Sequence, residues 1–384
     1  MSAFKFFSPT CSIFGYGCIE ALEEELRRKG YTRALIVTDL SICKVGIADR
    51  VIEVLKKAGV GYALFNEVKP NPTIKNVKAG LALLKAEKCD FIVTIGGGSA
   101  HDCGKAIGIL ATNGGKVEDY VGSDMSAHKA LDIVAINTTA GTGSECTRAY
   151  VISDEDKHQK TGIRDRNALA EIAVDDHSLM MSLPPRLTAG TGMDALVHAV
   201  ECYVSVNGFM LTSELAVTAM TVIFKWLRTA VKEPTNEKAR EGMAVGEYLA
   251  GLAFGNGGVG MVHAISHQLS AVYDLPHGLC NAILLPPVME FNKRGAANKL
   301  AELARILLPA DCAEKSDEAL ADVAIGEFKK LSADIGTLIP LRELGVKESD
   351  FAQLAKKALA DRSMANNPVQ PDAGDIIAAL AKVF

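Results

Sequence analysis

The sequence predicts two domains: a mostly parallel α/β domain over residues 1–183 and an all-α domain over residues 184–384. In the first part, short β-rich runs alternate with helical patterns, as in successive βαβ units. At Ser182-Leu183-Pro184-Pro185 the β-rich runs stop, and an Ala- and Leu-rich sequence with helical periodicity continues to the C-terminus. The domain boundary is therefore predicted at these prolines.

Four apolar runs predict strands at residues 34–38, 62–65, 91–95 and 133–136. Each run is apolar throughout, which is typical of a strand covered by helices on both faces. Apolar residues spaced three or four apart predict helices over residues 18–29, 49–58, 74–87 and 101–111. The same spacing predicts the helices of the second domain, over about residues 188–205, 210–231, 237–253, 261–272, 278–292, 296–307, 317–334 and 349–359.

The composition favours a small-molecule partner. The chain has 384 residues, 48% of them hydrophobic, which suffices for a full core and excludes disorder. Its 41 Lys and Arg against 46 Asp and Glu give a net charge of −5 without charge blocks, so no nucleic-acid partner is expected. Nine scattered cysteines without a CxxC pair fit neither a disulfide framework nor a zinc-thiolate site, and predict a reducing cytoplasm.

The uncharged stretch over residues 248–273 is long enough to span a bilayer. It is interrupted by the run Asn256-Gly257-Gly258 and carries His263 and His267, which lipid would penalise. The N-terminus lacks the pattern of an export signal. No membrane association is therefore expected, and the stretch predicts buried helices beside something polar.

The predicted strand at 91–95 runs through Gly96-Gly97-Gly98-Ser99 directly into a helix. Backbone N–H groups and a helix N-terminus there face an anion, and glycine lets a pyrophosphate approach closely. The alternative is a tight strand-to-helix turn without a ligand. The usual G-x-G-x-x-G fingerprint does not occur at this position, so any dinucleotide site is a variant of the Rossmann type.

Two further features support a dinucleotide. The loop Thr138–Glu145 follows a strand and is rich in hydroxyl groups that could bind phosphate or ribose, although Thr142 or Ser144 could equally cap a helix. Asp39 ends the strand at 34–38, where a carboxylate can bind the ribose hydroxyls and repel a 2′-phosphate. NAD is therefore expected rather than NADP, unless Asp39 only starts a turn.

The second domain carries a cluster of candidate metal ligands. Asp194 and His198 lie four residues apart, as do His263 and His267, so each pair occupies one helix face, and His277 follows. A carboxylate with imidazoles suits divalent iron, zinc, manganese or nickel. A lone helical histidine is usually a hydrogen-bonded core residue, but five coincident candidates in an apolar sequence favour a metal. Such a metal beside a nicotinamide predicts alcohol and aldehyde interconversion.

These residues lie in four stretches that resemble the iron-containing (group III) alcohol dehydrogenases, especially the subgroup with 1,3-propanediol dehydrogenases and lactaldehyde reductases. The stretches are IVTIGGGSAHDCGKAIGI, NTTAGTGSE, TGMDALVHAVE and VHAISHQLSAVYDLPHGLCNAILLP. The resemblance covers essentially the whole chain. It implies a Rossmann-like dinucleotide-binding domain followed by an all-α metal-binding domain, with NAD and Fe²⁺ as cofactors, a small alcohol or aldehyde as substrate, and a homo-oligomer.

The resemblance also implies roles for individual residues. The metal ligands correspond to Asp194, His198, His263 and His277, which leaves His267 near the substrate, where it orients the substrate, relays its proton, acts as a fifth ligand or supports the ligands from outside. The expected cofactor contacts are Asp39, Asn71, Gly97, Gly98, Ser99, Asp102, Thr138, Thr139, Thr142, Lys160 and Phe254. Lys160 could instead be a solvated surface charge.

Two alternatives belong to other functional classes. A lyase similar to dehydroquinate synthase would share the fold, NAD and a metal, but the extra basic residues for a phosphorylated substrate are not evident in the sequence. A catalytically silent NAD-binding protein would keep the GGGS loop and lose metal ligands, whereas this chain retains all of them. The ligands do not specify the metal, because zinc binds such a site more tightly than iron.

Overall fold

The computed structural model describes residues 3–155, 159–312 and 315–384, which belong to two compact units. The α/β unit is Phe6–Ser182, and the helical unit is Leu183–Phe384 with residues 3–5. The predicted boundary after residue 183 lies next to this division. Residues 3–5 were expected in the first domain; they belong to the helical unit, where the apolar ring of Phe4 stacks on Phe209 with centroids 4.7 Å apart.

The described residues of the α/β unit form eight strands and five α-helices. The strands are β1 (Cys11–Phe14), β2 (Arg33–Val37), β3 (Gly61–Phe65), β4 (Phe91–Gly96), β5 (Ile133–Asn137), β6 (Ala149–Asp154), β7 (Gln159–Arg164) and β8 (Ile172–Asp175). The helices are α1 (Leu22–Lys29), α2 (Leu40–Lys44), α3 (Ile47–Lys57), α4 (Ile74–Ala86) and α5 (Gly98–Asn113). Six strands form a parallel sheet in the order β1-β8-β5-β4-β2-β3, and β6 pairs with β7 in an antiparallel hairpin.

The sheet is buried on both faces because successive strand residues point to opposite sides. Leu35 and Ile92 pack into the apolar cluster that contains Ile107 of α5, whereas Ile36 and Val93 pack into the cluster on the other face. This two-sided burial explains why β2 and β4 are apolar throughout. The four predicted strands are all present, and β4 delivers the glycine run to the carboxyl edge of the sheet.

The helical unit contains α6 to α13. They are α6 (Pro185–Val204), α7 (Met210–Lys232), α8 (Glu237–Gly257), α9 (Met261–Tyr273), α10 (His277–Leu307), α11 (Asp317–Asp334), α12 (Phe351–Leu359) and α13 (Ala373–Ala381). The predicted helices at 278–292 and 296–307 correspond to the two parts of α10, which are separated by a kink at Ala296, where the backbone is non-helical. The predicted fold class, a Rossmann-like α/β domain followed by an all-α domain, is confirmed.

Among the described residues, one helix is long and apolar enough to cross a membrane by length and composition, namely α7. It packs against α6 and α8 of the same unit. A single such helix is weak support for a membrane span, because helices of a protein core pass the same test. The uncharged stretch at residues 248–273 folds instead as the end of α8 and the whole of α9.

Candidate functional site

The glycine run after β4 brings two loops of the α/β unit together. A Cβ atom on Gly97 would lie 2.8 Å from Oγ1 of Thr139, and one on Gly98 would lie 3.0 Å from Cγ2 of Thr142. A residue larger than glycine at either position would therefore push the loop Thr138–Glu145, called the threonine loop below, away from the start of α5. Gly97 and Gly98 thus lie directly against Thr139 and Thr142. We call this group, with the neighbouring Thr138, the cradle.

The hydroxyl groups of this cradle fit a polar ligand. Oγ1 of Thr138 and Oγ1 of Thr139 are buried, and neither has a hydrogen-bond partner within the described parts of the chain. Buried hydroxyls without partners are uncommon in proteins, and a bound molecule, an ion or water can provide the missing hydrogen bonds. Together with the N-terminus of α5, they fit the phosphate or ribose oxygens of a dinucleotide.

Three other predicted contacts meet at the start of α5. The backbone N–H of Asn71 donates to Oγ of Ser99 at 3.3 Å, and Nζ of Lys160 donates to Oδ1 of Asn71 at 2.9 Å. Asn71 has φ 60°, a left-handed conformation that asparagine tolerates better than most residues. Lys160 therefore has Asn71 as a partner at an exposed position, and its contact with a cofactor stays a prediction.

Asp39 and Asp102 have partners within the α/β unit. Asp39 is the N-cap of α2, and its Oδ1 accepts hydrogen bonds from the backbone N–H groups of Ser41 and Ile42. Asp102 uses both carboxylate oxygens, which accept from Oγ of Ser144 at 2.7 Å and from the backbone N–H of Val151 at 2.9 Å. Direct contact of either residue with NAD stays a prediction, and Asp102 also ties α5 to the threonine loop.

Lys105 is a functional candidate that the sequence reasoning missed. Its Nζ is buried and donates to the carbonyl oxygen of Ser144 at 2.6 Å, to Oγ of Ser144 at 2.9 Å and to the carbonyl oxygen of Ala149 at 2.8 Å. Burial lowers the pKa of Lys105, although Asp102 and Glu145 oppose this effect. The signal in the sequence was a lysine directly before the apolar run AIGIL of α5.

The helical unit brings the predicted metal ligands together from three helices. The ligand atoms of Asp194 on α6, His263 on α9 and His277 on α10 all lie within 4.8 Å of one another. Oδ1 of Asp194 is 3.7 Å from Nε2 of His263 and 3.6 Å from Nε2 of His277. His198 is outside this group of three, but its ring stacks on that of His263 with centroids 4.5 Å apart.

The pKa shifts in this cluster follow from a buried carboxylate surrounded by imidazoles. Burial raises the pKa of Asp194, but the nearby imidazoles of His198 and His277 outweigh it and hold the pKa below its ordinary value. Burial lowers the pKa of His263, yet the neighbouring carboxylates of Asp194 and Glu201, the second of which is hydrogen-bonded to Nδ1, raise it to about 9. Burial holds the pKa of His277 well below its ordinary value. A buried carboxylate among imidazoles fits a divalent cation.

Asn281 marks the point on which the ligand atoms converge. Its Nδ2 donates to Oδ1 of Asp194 at 2.6 Å and lies 3.2 Å from Nε2 of His263 and 3.1 Å from Nε2 of His277. One hydrogen-bond donor therefore faces all three atoms, as a cation would. The sequence signal for Asn281 is its position four residues after His277, on the same face of α10.

His267 and Phe254 lie beside this cluster. Nδ1 of His267 is 2.9 Å from Oδ2 of Asp361, and its ring stacks on that of His277 with centroids 5.3 Å apart. The ring of Phe254 stacks on that of His198 at 3.9 Å. Asp361 lies 94 residues from His267, and nothing in the sequence pointed to this pairing.

Comparison with known proteins shows which family the chain resembles. A family model described as iron-containing alcohol dehydrogenase matches residues 9–177, and one described as the C-terminal part of that family matches residues 188–384. The chain is 44% identical to alcohol dehydrogenase 4 of Schizosaccharomyces pombe, covering 97% of this chain and 87% of the relative. It is 42% identical to 1,3-propanediol dehydrogenase of Klebsiella pneumoniae, covering 99% of both chains.

The fold agrees with these relatives. A crystal structure of a 1,3-propanediol oxidoreductase superposes with a TM-score of 0.98 at 41% identity and covers 100% of both chains. One conclusion follows from the family models over both halves of the sequence, the shared fold, the cradle and the cluster of candidate metal ligands. The chain belongs to the iron-containing alcohol dehydrogenase family.

Proposed function

We propose that this protein catalyses the reversible, NAD-linked interconversion of a small primary alcohol or diol and its aldehyde, with a divalent metal. The observation that carries the proposal is the convergence of Asp194, His263 and His277 on one point in a member of this family. The names of the relatives, among them 1,3-propanediol dehydrogenase and NAD-dependent methanol dehydrogenase, support a small alcohol as substrate.

Four residues would hold the metal: Asp194, His198, His263 and His277. When bound, the metal supplies Lewis acidity, which lowers the pKa of an alcohol or polarises a carbonyl group. Iron is favoured by the family, and zinc is the main competitor because it binds nitrogen and oxygen ligands more tightly. The low pKa of Asp194 keeps its carboxylate ionised and ready to bind a cation at neutral pH.

The α/β unit would hold NAD, which accepts or returns the hydride of the reaction. Gly97 and Gly98 keep the cradle open for the pyrophosphate, and the buried hydroxyls of Thr138 and Thr139 would bind its polar groups. Asp39 would bind the ribose hydroxyls through the carboxylate oxygen that does not cap α2. A negative charge there would repel the 2′-phosphate of NADP.

His267 would hold or pass the substrate proton. A carboxylate only accepts hydrogen bonds, so Asp361 fixes the proton of His267 on Nδ1 and leaves Nε2 as the exchanging atom. Burial raises the pKa of Asp361, but the hydrogen bond and charge of His267 and the hydrogen bonds from Ser363 together outweigh it and keep this carboxyl group ionised. Phe254, stacked on His198, would present an apolar surface to the carbon chain of the substrate.

The decisive experiment is NADH formation by anaerobically purified protein with ferrous iron, NAD and a series of alcohols from ethanol to 1,2- and 1,3-propanediol. We expect a metal-dependent signal that falls with chelator and is weaker with NADP. Binding of iron and of NADH is measured separately by chelator competition and fluorescence. If both bind and no alcohol or aldehyde reacts, the lyase or the silent NAD-binding protein becomes the better hypothesis.

Three further expectations belong to this proposal. All nine cysteines are free thiols, which supports a reducing compartment such as the cytoplasm. The scattered charges support a small-molecule partner without nucleic acid or membrane. A homo-oligomer, expected from the family resemblance, is tested by light scattering at several protein concentrations.

A further inference from the structure

Glu201 is a buried carboxylate that the proposed reaction does not use directly. It lies on α6 and is 1% exposed. Its Oε1 accepts a hydrogen bond from the backbone N–H of Val262 at 2.6 Å. Its Oε2 accepts from the backbone N–H of Gly260 at 2.9 Å and lies 2.6 Å from Nδ1 of His263. The carboxylate is thus surrounded by donors from the first turn of α9.

These contacts explain how a carboxylate is tolerated in the interior. The first N–H groups of a helix lack partners inside the helix and carry partial positive charge. Glu201 satisfies them at the start of α9, and Gly260 allows the close approach, since a Cβ atom there would lie 2.7 Å from Oδ1 of Asn367 and 3.2 Å from Oε1 of Glu201. Asn367 completes the cap by accepting from the backbone N–H of Met261 at 3.1 Å.

The same carboxylate determines how His263 presents its ring. An ionised carboxylate accepts hydrogen bonds and donates none, so the proton of a neutral His263 lies on Nδ1. Its lone pair then lies on Nε2, the atom 3.7 Å from Oδ1 of Asp194. A histidine that binds a metal through one nitrogen commonly donates from the other to a carboxylate, which orients the ring and makes it a stronger ligand.

The spacing along α6 gives this arrangement a simple origin. Asp194, His198 and Glu201 are four and three residues apart and therefore lie on one face of the helix. That face supplies two predicted ligands and the group that orients a third ligand, which is carried by a different helix. A shift of α9 relative to α6 would break the contact between Glu201 and His263 and would also rotate the ring of His263.

We propose that Glu201 is a positioning residue that fixes the Nδ1–H form and the ring orientation of His263 and thereby sets the metal affinity of the site. The inference rests on the metal site in the proposed function. It goes beyond capping of α9, because Asn367 also caps this helix and has no hydrogen bond to His263 among the described residues. The two roles can therefore be separated by mutation.

The test compares Glu201→Gln with Asn367→Ser by titrating each metal-free protein with Co²⁺. Binding is followed by visible cobalt absorption and by competition with a chelator, so no turnover is needed. We expect Glu201→Gln to bind Co²⁺ about 10–100-fold more weakly. Asn367→Ser removes the cap hydrogen bond from Met261 together with the side-chain hydrogen bonds of Asn367 to Asn292 and Val369, so we expect a lower Tm and an affinity within about threefold of the original protein.

A second measurement determines which ring nitrogen of His263 carries the proton. In ¹⁵N-histidine-labelled, zinc-loaded protein, the nitrogen shifts of His263, assigned with His263→Gln, are expected to show the proton on Nδ1. Protonation on Nε2 would overturn the inference even if Glu201→Gln fails to fold. So would unchanged cobalt affinity in Glu201→Gln, or an equal loss in Asn367→Ser. If the original protein binds no Co²⁺, Zn²⁺ or Fe²⁺, the proposed function itself fails, and the inference fails with it.

Discussion

Lys105 and Ser144 are joined by two hydrogen bonds, since Nζ of Lys105 donates to the carbonyl oxygen of Ser144 at 2.6 Å and to its Oγ at 2.9 Å. Ser144 in turn donates from Oγ to Oδ1 of Asp102. These contacts join α5 to the loop that carries Thr138, Thr139 and Thr142. The threonine loop is therefore fixed to α5 by a buried amino group.

Replacement of Lys105 by Met tests this support. The change keeps the length of the side chain and leaves buried acceptors of Ser144 and Ala149 without a donor, at a cost of about 1–3 kcal/mol for each group. We expect a lower Tm, and NADH binding weakened about tenfold because the threonine loop is no longer fixed, as measured by fluorescence titration. Lys85→Met, at an exposed position on α4, is the control and should change neither quantity. An unchanged NADH affinity in Lys105→Met would show that NADH binding does not depend on fixing the threonine loop through Lys105.

Gly97→Ala should weaken NADH binding more than it lowers the stability of the fold. The new Cβ atom would lie 2.8 Å from Oγ1 of Thr139, so the threonine must move out of the cradle. We expect a loss of about tenfold or more in NADH affinity, measured by fluorescence titration. Gly162→Ala is the matched control, because its Cβ atom would meet nothing within 4 Å. Equal affinities in the two variants would show that the close approach of Gly97 to Thr139 is unimportant.

His263→Ala and Asp194→Ala should each lose metal and turnover together. Each change removes one of three donor atoms that converge within 4.8 Å, and the remaining donors cannot hold a divalent ion tightly. Metal content after dialysis and the rate of NADH formation are measured on the same samples. His128→Ala, outside the cluster, serves as the control for loss of a histidine. A variant that keeps its rate with bound metal would remove that residue from the ligand set.

Glu171→Gln should destabilise the α/β unit in a pH-dependent way. Burial raises the pKa of Glu171, but its ion pairs with Lys129 and Lys29 outweigh it and lower the pKa from 4.5 to about 2. A lowered pKa means that the ion pairs stabilise the fold fully above about pH 4.5 and progressively less down to about pH 2. Calorimetry should show a loss of about 1 kcal/mol near neutral pH.

That loss should shrink as the pH falls from about 5 to 3, because Glu171 is then increasingly protonated on unfolding. Glu53→Gln, at an exposed position of α3, is the control and should give a small difference at every pH. A loss in Glu171→Gln that stays constant down to about pH 3 would mean that the ionised carboxylate is not what stabilises the fold.

The sequence alone predicted the strands that are buried on both faces, because short, continuously apolar runs such as those of β2 and β4 are typical of strands that helices cover on both sides. It did not predict β1, β6, β7 or β8. Strand β7 reads QKTGIR, which lacks the apolar character of a central strand, and it pairs with β6 in a hairpin outside the main sheet. Strand β8 is only four residues long and is stabilised by parallel pairing on both sides, with β1 and β5.

What the sequence determined by itself is the local chemistry: the glycine run after an apolar strand, and the i, i+4 pairs that place Asp194 with His198 and His263 with His267 on helix faces. The tertiary structure decided the partners that support these groups. Glu201 meets His263 across 62 residues, and Asp361 meets His267 across 94. Helical periodicity extends only over neighbouring turns, so contacts of this range depend on how separate helices pack, and that packing appears in no local pattern of residues.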